Sequence, residues 1–252
     1  MRRRRAFVAV LVGAVLVGLT LMAPLPALAQ SISLDLGGIE GSSTGRIVQL
    51  LALLTVLSLA PAILITVTSF TRIIVVLSFL RSALGTQTTP PNIVMVSLAL
   101  FLTGFVMAPT LEKSYQDGIA PLIEDKMPET EALNRAIAPV HDFMIGHVRE
   151  RDLKLFSDLA KIPPVADPKD VSMRILVPAF MISELRRAFE IGFLLFLPFL
   201  IIDIVVASIL MSMGMMMLPP VTVSLPFKLI FFVLVDGWYL VAGSLVQSFG
   251  SG

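Results

Sequence analysis

The chain alternates between long apolar stretches and one polar block. Apolar residues dominate 47–70, 92–109, 191–213 and 223–246. These runs approach or exceed the ~20 residues that an α-helix needs to cross a hydrocarbon core of ~30 Å. The polar block lies between the second and third runs, at 110–187. This pattern predicts an all-α integral membrane protein with helical hairpins and a polar helical insert.

The polar block has a helical period of its own. Between Glu129 and Leu159, apolar residues recur at steps of three and four, with Pro128 at the start and Pro163 beyond the end. This spacing predicts one amphipathic helical stretch. We expect its apolar face to contact another helix or another subunit.

The N-terminus resembles a targeting signal. Arg2–Arg5 forms a basic run, an apolar segment follows, and an Ala-x-Ala pattern ends at Ala29. These features predict a secretory signal peptide over 1–29, cleaved between Ala29 and Gln30, with a retained membrane helix as the alternative. The Gly- and Ser-rich stretch 30–46 reads as a flexible lead-in.

The charge distribution suggests a topology and a division of the mature chain. The segment 71–91 contains Arg72 and Arg81 and no acid, which is typical of a cytoplasmic loop. The polar insert then lies on the periplasmic side. We therefore expect a first apolar helical region at 47–109, the insert at 110–187, and a second apolar hairpin with a Met-rich loop at 188–252.

Composition narrows the possible functions. Of the 252 residues, 56% are hydrophobic and 15% charged, and the net charge is +1. That charge argues against a nucleic-acid partner, which needs clustered Lys and Arg. Without cysteine, disulfides and thiolate metal sites are excluded.

Catalytic and metal-binding motifs are also missing from the sequence. His141 and His147 are six residues apart, so they face different sides of a helix and make a poor metal pair. Neither a phosphate-binding P-loop nor a G-x-S-x-G motif occurs. We predict a protein that is not an enzyme and has no catalytic residue, cofactor or metal.

Methionine is concentrated at one place. Five of the 13 methionines fall within 211–217, followed by Pro219 and Pro220. Methionine is unbranched and repacks easily, so the cluster could simply fill gaps at a helix end. If several copies surrounded an axis, these flexible thioethers could instead close a pore by excluding water.

Charged residues inside the apolar half form a second group. An ionised side chain in hydrocarbon costs at least ~2.5 kcal/mol, so each of these residues needs a partner or a cavity. Lys228 is the sole cation after Arg187, and several acids could pair with it. A structural ion pair and a proton relay are both open. The acids are Glu184, Glu190, Asp203 and Asp236.

Several longer segments resemble the FliP family of flagellar export-gate proteins, and the resemblance covers roughly 46–250. The segments that carry it are Thr68–Leu77, Leu80–Asn92, Leu176–Phe180, Ser183–Leu185, Phe189–Phe193, Pro198–Asp203, the methionine cluster, Leu225–Lys228 and Val235–Trp238. The resemblance implies an oligomeric, pore-forming subunit of the type III export gate in the flagellar basal body, a multi-pass protein of the bacterial inner membrane. About five copies would assemble with FliQ and FliR and conduct unfolded flagellar proteins.

The resemblance also assigns roles to particular residues. It implies that Met215, Met216 and Met217 form the gasket of the closed pore. It further implies an ion pair between subunits that maps onto Glu184 and Lys228. In that family the assembled hairpins lie largely above the bilayer, so four simple membrane crossings do not follow from four apolar runs.

Two rival functions remain at this point. A small-solute transporter would use Asp203, Asp236 and Lys228 as a coupling-ion site. A periplasmic adhesion or assembly module would use the apolar ends as an anchor, and its polar block would fold and bind partners alone.

Overall fold

The computed structural model describes residues 43–163, 167–215 and 217–250, and within them every regular element is helical. This confirms the all-α prediction. The predicted signal peptide, its cleavage site at Ala29 and Gln30, and Met216 lie outside the described residues. The elements are α1 Ser43–Val67, α2 Phe70–Ala83, α3 Asn92–Ser114, a π-helical turn Tyr115–Ile119, α4 Ala120–Ile123, α5 Glu129–His147, α6 Glu150–Ala160, a 3-10 turn Pro168–Asp170, α7 Met173–Ser212, α8 Pro220–Leu234 and α9 Gly237–Gly250.

The chain divides into two compact units, 1–52 and 53–252, and the division falls inside α1. The contacts that follow all lie within the second unit. Its core is formed mainly by α2, the inner faces of α3 and α7, and the two last helices.

Three helical segments in the described residues are long and apolar enough to cross a membrane: Leu50–Val67, Asn92–Ile123 and Met173–Ser212. The bent pair α8 and α9 would count as a fourth. The fourth apolar run, 223–246, is not one straight helix, because α8 and α9 meet at 64°. Asp236 adopts the left-handed conformation at this break, with φ at 50°. A single residue of this kind ends a right-handed helix.

The segment expected to be a loop at 71–91 is mostly helical. Its first part forms α2, which packs along α7. Ile73, Val76, Leu77 and Leu80 recur at steps of one, three and four, and all four are buried. This helical spacing gives α2 an apolar face that is removed from water. Arg72, directly before these four residues, therefore lies in the helix and is not a loop charge.

The stretch from Glu129 to Leu159 contains two helices where the sequence predicted one. The chain is extended at Val148 and Arg149, between α5 and α6. The backbone N–H of Arg149 donates a 3.1 Å hydrogen bond to Ser183 Oγ on α7. A tertiary hydrogen bond therefore takes the place of a helical one. Met144 packs inside, whereas Leu155 and Leu159 remain exposed on α6.

Candidate functional site

The hairpin of α7 and α8 turns at the methionine cluster. Gly214 follows α7 with φ at 76°, a conformation that glycine adopts at little steric cost. The N–H of Gly214 donates to Met211 O at 3.1 Å, and the N–H of Met215 donates to Leu210 O at 2.9 Å. These two bonds form a Schellman motif, which satisfies the last carbonyls of α7. Pro220 then occupies the first turn of α8, where its missing N–H costs nothing.

The methionine side chains of this turn face outward. Met217 is 98% exposed and Met215 is 41% exposed in a single chain. Met211 and Met213, at the end of α7, are also exposed. Flexible apolar side chains at the tip of a hairpin are therefore available for contacts with other molecules. The structure places two of the three predicted gasket residues, Met215 and Met217, at this tip, whereas Met216 is outside the described residues.

Beside the tip, α7 and α8 enclose a cleft of about 530 Å³ with an entirely apolar lining that includes Ile209, Val223 and Phe227. The cleft lacks charged side chains and so offers no polar group to orient a soluble substrate. Its surface suits hydrocarbon or an apolar helix.

Lys228 is buried between α8, α7 and the end of α2. Its Nζ donates to Asp203 Oδ2 at 2.7 Å and to Ala83 O at 3.1 Å. Ser224 Oγ donates to the other Asp203 oxygen at 2.5 Å. Within one chain, Asp203 is therefore the acid that pairs with Lys228. The pair leaves the centre of the hairpin electrically neutral and fastens it to α2.

A second buried ion pair joins α2 to α7. Arg72 and Glu184 are both fully buried, and Arg72 Nε donates to Glu184 Oε2 at 2.8 Å while Nη2 donates to Oε1. Arg72 Nη1 donates to Ser248 O and Oγ at 3.1 and 3.0 Å, and its guanidinium lies 3.6 Å from the centre of the Phe249 ring. Burial lowers the pKa of the Arg72 guanidinium from its ordinary value, and Glu184 opposes this effect.

The residues predicted to pair between subunits, Glu184 and Lys228, thus have separate partners inside one chain. Glu184 binds Arg72, and Lys228 binds Asp203. Contacts between copies lie beyond a single chain, so the pairing of Glu184 with Lys228 across subunits stays a prediction. If it forms, each residue must share or exchange a buried partner.

The insert is attached to α7 next to Glu184. Asp152 of α6 accepts 2.9 Å hydrogen bonds from Arg149 Nε and Nη2. It also accepts a 2.5 Å bond from Ser183 Oγ. Because Ser183 and Glu184 are adjacent, the same turn of α7 holds both α2 and α6.

Asp236 differs from the other acids. It is exposed at the break between α8 and α9, and its carboxylate has no hydrogen bond or ion pair within the described residues. Gly237 follows, and the ring of Phe232 lies so close that a Cβ atom there would be 2.1 Å from it. The break thus requires glycine at 237 and leaves a charge at 236.

The two histidines have separate structural partners. His141 Nε2 lies 2.8 Å from Val171 O. His147 Nδ1 lies 2.7 Å from Phe143 O, and its Nε2 lies 3.3 Å from Phe249 O. Among the residues described, no group of three or more His, Asp or Glu side chains is arranged to hold a metal ion.

Comparison with known proteins places these features in a family. The family model described as the FliP family matches residues 53–245. The chain belongs to the FliP family. The matched region includes both buried ion pairs, the methionine turn and the break at Asp236.

The FliP relatives are similar along most of their length. A flagellar biosynthetic protein FliP from Caulobacter vibrioides is 61% identical over 230 residues, which cover 91% of this chain and 86% of the relative. The protein of that name from Bacillus subtilis is 57% identical over 80% of this chain and 91% of its own length. That from Rhizobium meliloti is 54% identical, over 84% and 87%. The family resemblance of the sequence is thereby confirmed.

Sequence reasoning missed Arg72, Ser224 and Ser248 as partners in the buried polar clusters. Arg72 carried a readable signal, because the apolar residues that follow it have helical spacing. The serines carried none, since a single hydroxyl in an apolar helix is common. Their roles depend on which helices become neighbours.

Proposed function

We propose that this FliP-family chain is a pore-forming, non-enzymatic subunit of the flagellar type III export gate. About five copies assemble with FliQ and FliR in the inner membrane at the flagellar basal body. The assembly conducts unfolded flagellar proteins, and the methionine turn seals the closed pore. The observation that carries this proposal is the outward-facing methionine turn at the tip of an apolar hairpin, in a chain of this family.

The geometry of the turn suits a deformable seal. The Schellman motif and Pro220 fix both ends of the turn, whereas the thioether of Met217 is free of intrachain packing at 98% exposure. Unbranched side chains of this kind repack around different shapes. Several copies facing one axis would form an apolar constriction that excludes water and ions and yields to a passing polypeptide.

The two buried ion pairs stabilise the hairpin that carries the methionine turn. They hold the α7–α8 hairpin on α2 through fully or largely buried contacts. Breaking a buried pair leaves an uncompensated charge, so the helices are expected to move as a unit while the turn repacks. The exposed Leu155 and Leu159 of the insert are available for contacts with neighbouring copies on the periplasmic side.

The small-solute transporter receives no support from these contacts. Both oxygens of Asp203 accept hydrogen bonds, one from Lys228 and one from Ser224. A coupling cation would have to displace the ammonium of Lys228 from a site that is already neutral. The apolar cleft beside it contains no polar group for a solute.

The test is ion leakage through the assembled gate. Met215, Met216 and Met217 are replaced together by Ala in the chain co-expressed with FliQ and FliR, and ion flux across the inner membrane is measured. We expect leakage well above wild type with export retained, because Ala removes the bulk of the constriction. A Met211→Ala variant is the matched control, since Met211 is exposed on α7 before the turn. Unchanged leakage in an assembled triple variant would refute the seal.

A further inference from the structure

Most charged side chains within α7 to α9 are paired inside the chain. After the first turn of α7 these helices and the break between them contain seven charged residues, and five of them belong to an ion pair. Such pairing is expected where charges occur among apolar residues. The pairs are Arg72 with Glu184, Arg186 with Glu190, and Lys228 with Asp203.

Two opposite charges are left over: Arg187 on α7 and Asp236 at the break between α8 and α9. Neither side chain has a hydrogen bond or ion pair within the described part of the chain. Arg187 is half-buried, and its charge acts on Arg72 and on Glu190. Both of these groups already have an ion-pair partner, Glu184 and Arg186, so this side of the molecule carries one more positive charge than its ion pairs balance.

Asp236 lies among exposed apolar neighbours. Leu234 is 80% exposed and Tyr239 is 73% exposed. The left-handed backbone at 236 accounts for a residue such as Asn, Asp or Gly. It does not by itself select a negative charge, since Asn fits the same backbone and is neutral. The carboxylate is exposed and has no cationic partner among the described residues, so it is available to a cation of another chain.

We propose that Arg187 of one copy pairs with Asp236 of the neighbouring copy. This inference rests on the multi-copy assembly proposed above and names a contact that orders the copies. Charge complementarity identifies the occupant, because α7 to α9, after the first turn of α7, carry one cation and one acid without an ion pair. In the assembly of about five copies proposed above, the contact is head-to-tail, with Arg187 of each copy facing Asp236 of the next. Contacts of this type generate closed rings or open helical assemblies.

Cysteine cross-linking tests this contact cleanly, because the chain contains no cysteine. Arg187→Cys and Asp236→Cys are combined in the full chain, co-expressed with FliQ and FliR, and membranes are treated with a short bis-maleimide. The Cα atoms of a paired Arg and Asp can lie farther apart than the Cα atoms of a disulfide, so the cross-linker needs a spacer between its two maleimides. We expect a ladder of covalent dimers, trimers and higher species. Two singly substituted, differently tagged chains expressed together should give only mixed dimers.

The matched control combines Arg186→Cys with Asp236→Cys. Arg186 precedes Arg187 and is rotated about 100° around α7, and it already pairs with Glu190. We expect no ladder from this variant. A ladder of equal strength would overturn the proposal, as would a cross-link within one chain, dimers from either single variant alone, or cross-links to another protein.

Failure of this inference can be told apart from failure of the proposed function. If native mass spectrometry still shows several copies but no ladder forms, the contact is wrong and the gate proposal stands. In that case Arg187 faces another group, such as a lipid phosphate. If only monomers form, the multi-copy gate fails and this contact fails with it.

A charge exchange gives a second readout. Arg187→Glu alone or Asp236→Lys alone should lower the assembled fraction about tenfold, and the combination should restore it. Lysine is acceptable at this backbone conformation, because Lys161 adopts φ of 54° in the same chain. Equal losses in the single and combined variants would overturn the pairing.

Discussion

Replacement of Glu184 by Met should destabilise the fold strongly by leaving Arg72 charged and buried. The carboxylate now accepts two hydrogen bonds from a guanidinium that water does not reach. The hydrogen bonds to the Ser248 oxygens and the contact with the Phe249 ring would remain, and neither supplies a negative charge. Removing one partner of a buried pair costs about 3–5 kcal/mol. At about 1.4 kcal/mol per factor of ten, the folded-to-unfolded ratio should fall by about two to four powers of ten.

The double variant separates the charge from the packing. Arg72→Met alone should also be strongly destabilising, because it leaves the Glu184 carboxyl buried without its partner. Arg72→Met combined with Glu184→Met leaves no buried charge, and both replacements are unbranched apolar side chains, of which the one at 72 is shorter than Arg. We therefore expect the double variant to lose less stability than either single variant. This strong non-additivity is the signature of a desolvated ion pair.

The assay is denaturant unfolding of the detergent-solubilised chain, followed by helical circular dichroism and by the fluorescence of its single tryptophan, Trp238. The control on the same helix is Glu190→Met, which breaks the exposed pair with Arg186 and should cause no measurable change. If the losses of the two single variants simply add in the double variant, the buried pair does not hold α2 on α7 in the way described here.

Two further predictions concern glycines at close contacts. Gly237→Ala should lower the free energy of unfolding by about 1–3 kcal/mol, because its Cβ would lie 2.1 Å from the Phe232 ring. The control is Gly243→Ala in the same helix, whose Cβ meets nothing within 4 Å and which should be neutral or stabilising. Gly118→Ala should loosen the packing of the insert, because its Cβ would lie 2.5 Å from the backbone N of Ala136. Limited proteolysis should then cleave the insert faster than in the wild type. An unchanged rate of cleavage would contradict this contact.

Much of the fold was readable from hydrophobic periodicity. The apolar helices, the hairpin and its turn follow from long apolar runs ended by glycine and proline. The break after Val235 also had a signal, because Asp-Gly favours a turn. The long apolar run predicts a fourth span but not the 64° bend within it, because that angle depends on how α8 and α9 pack.

Other features depend on residues distant in sequence and could not be predicted locally. The interruption of the insert at Arg149 depends on Ser183, 34 residues away. The pairing of Lys228 with Asp203 depends on how the turn aligns α8 along α7. The charge count predicts Arg72 in a loop, because it cannot include the partner, 112 residues further on, that allows the burial of Arg72.

The measurement that tests the central claim most directly is native mass spectrometry of the detergent-extracted chain co-expressed with FliQ and FliR. The account predicts a hetero-oligomer that contains several copies of this chain, about five, since one hairpin cannot enclose a pore. A stable monomer, alone or with a single partner, would contradict it.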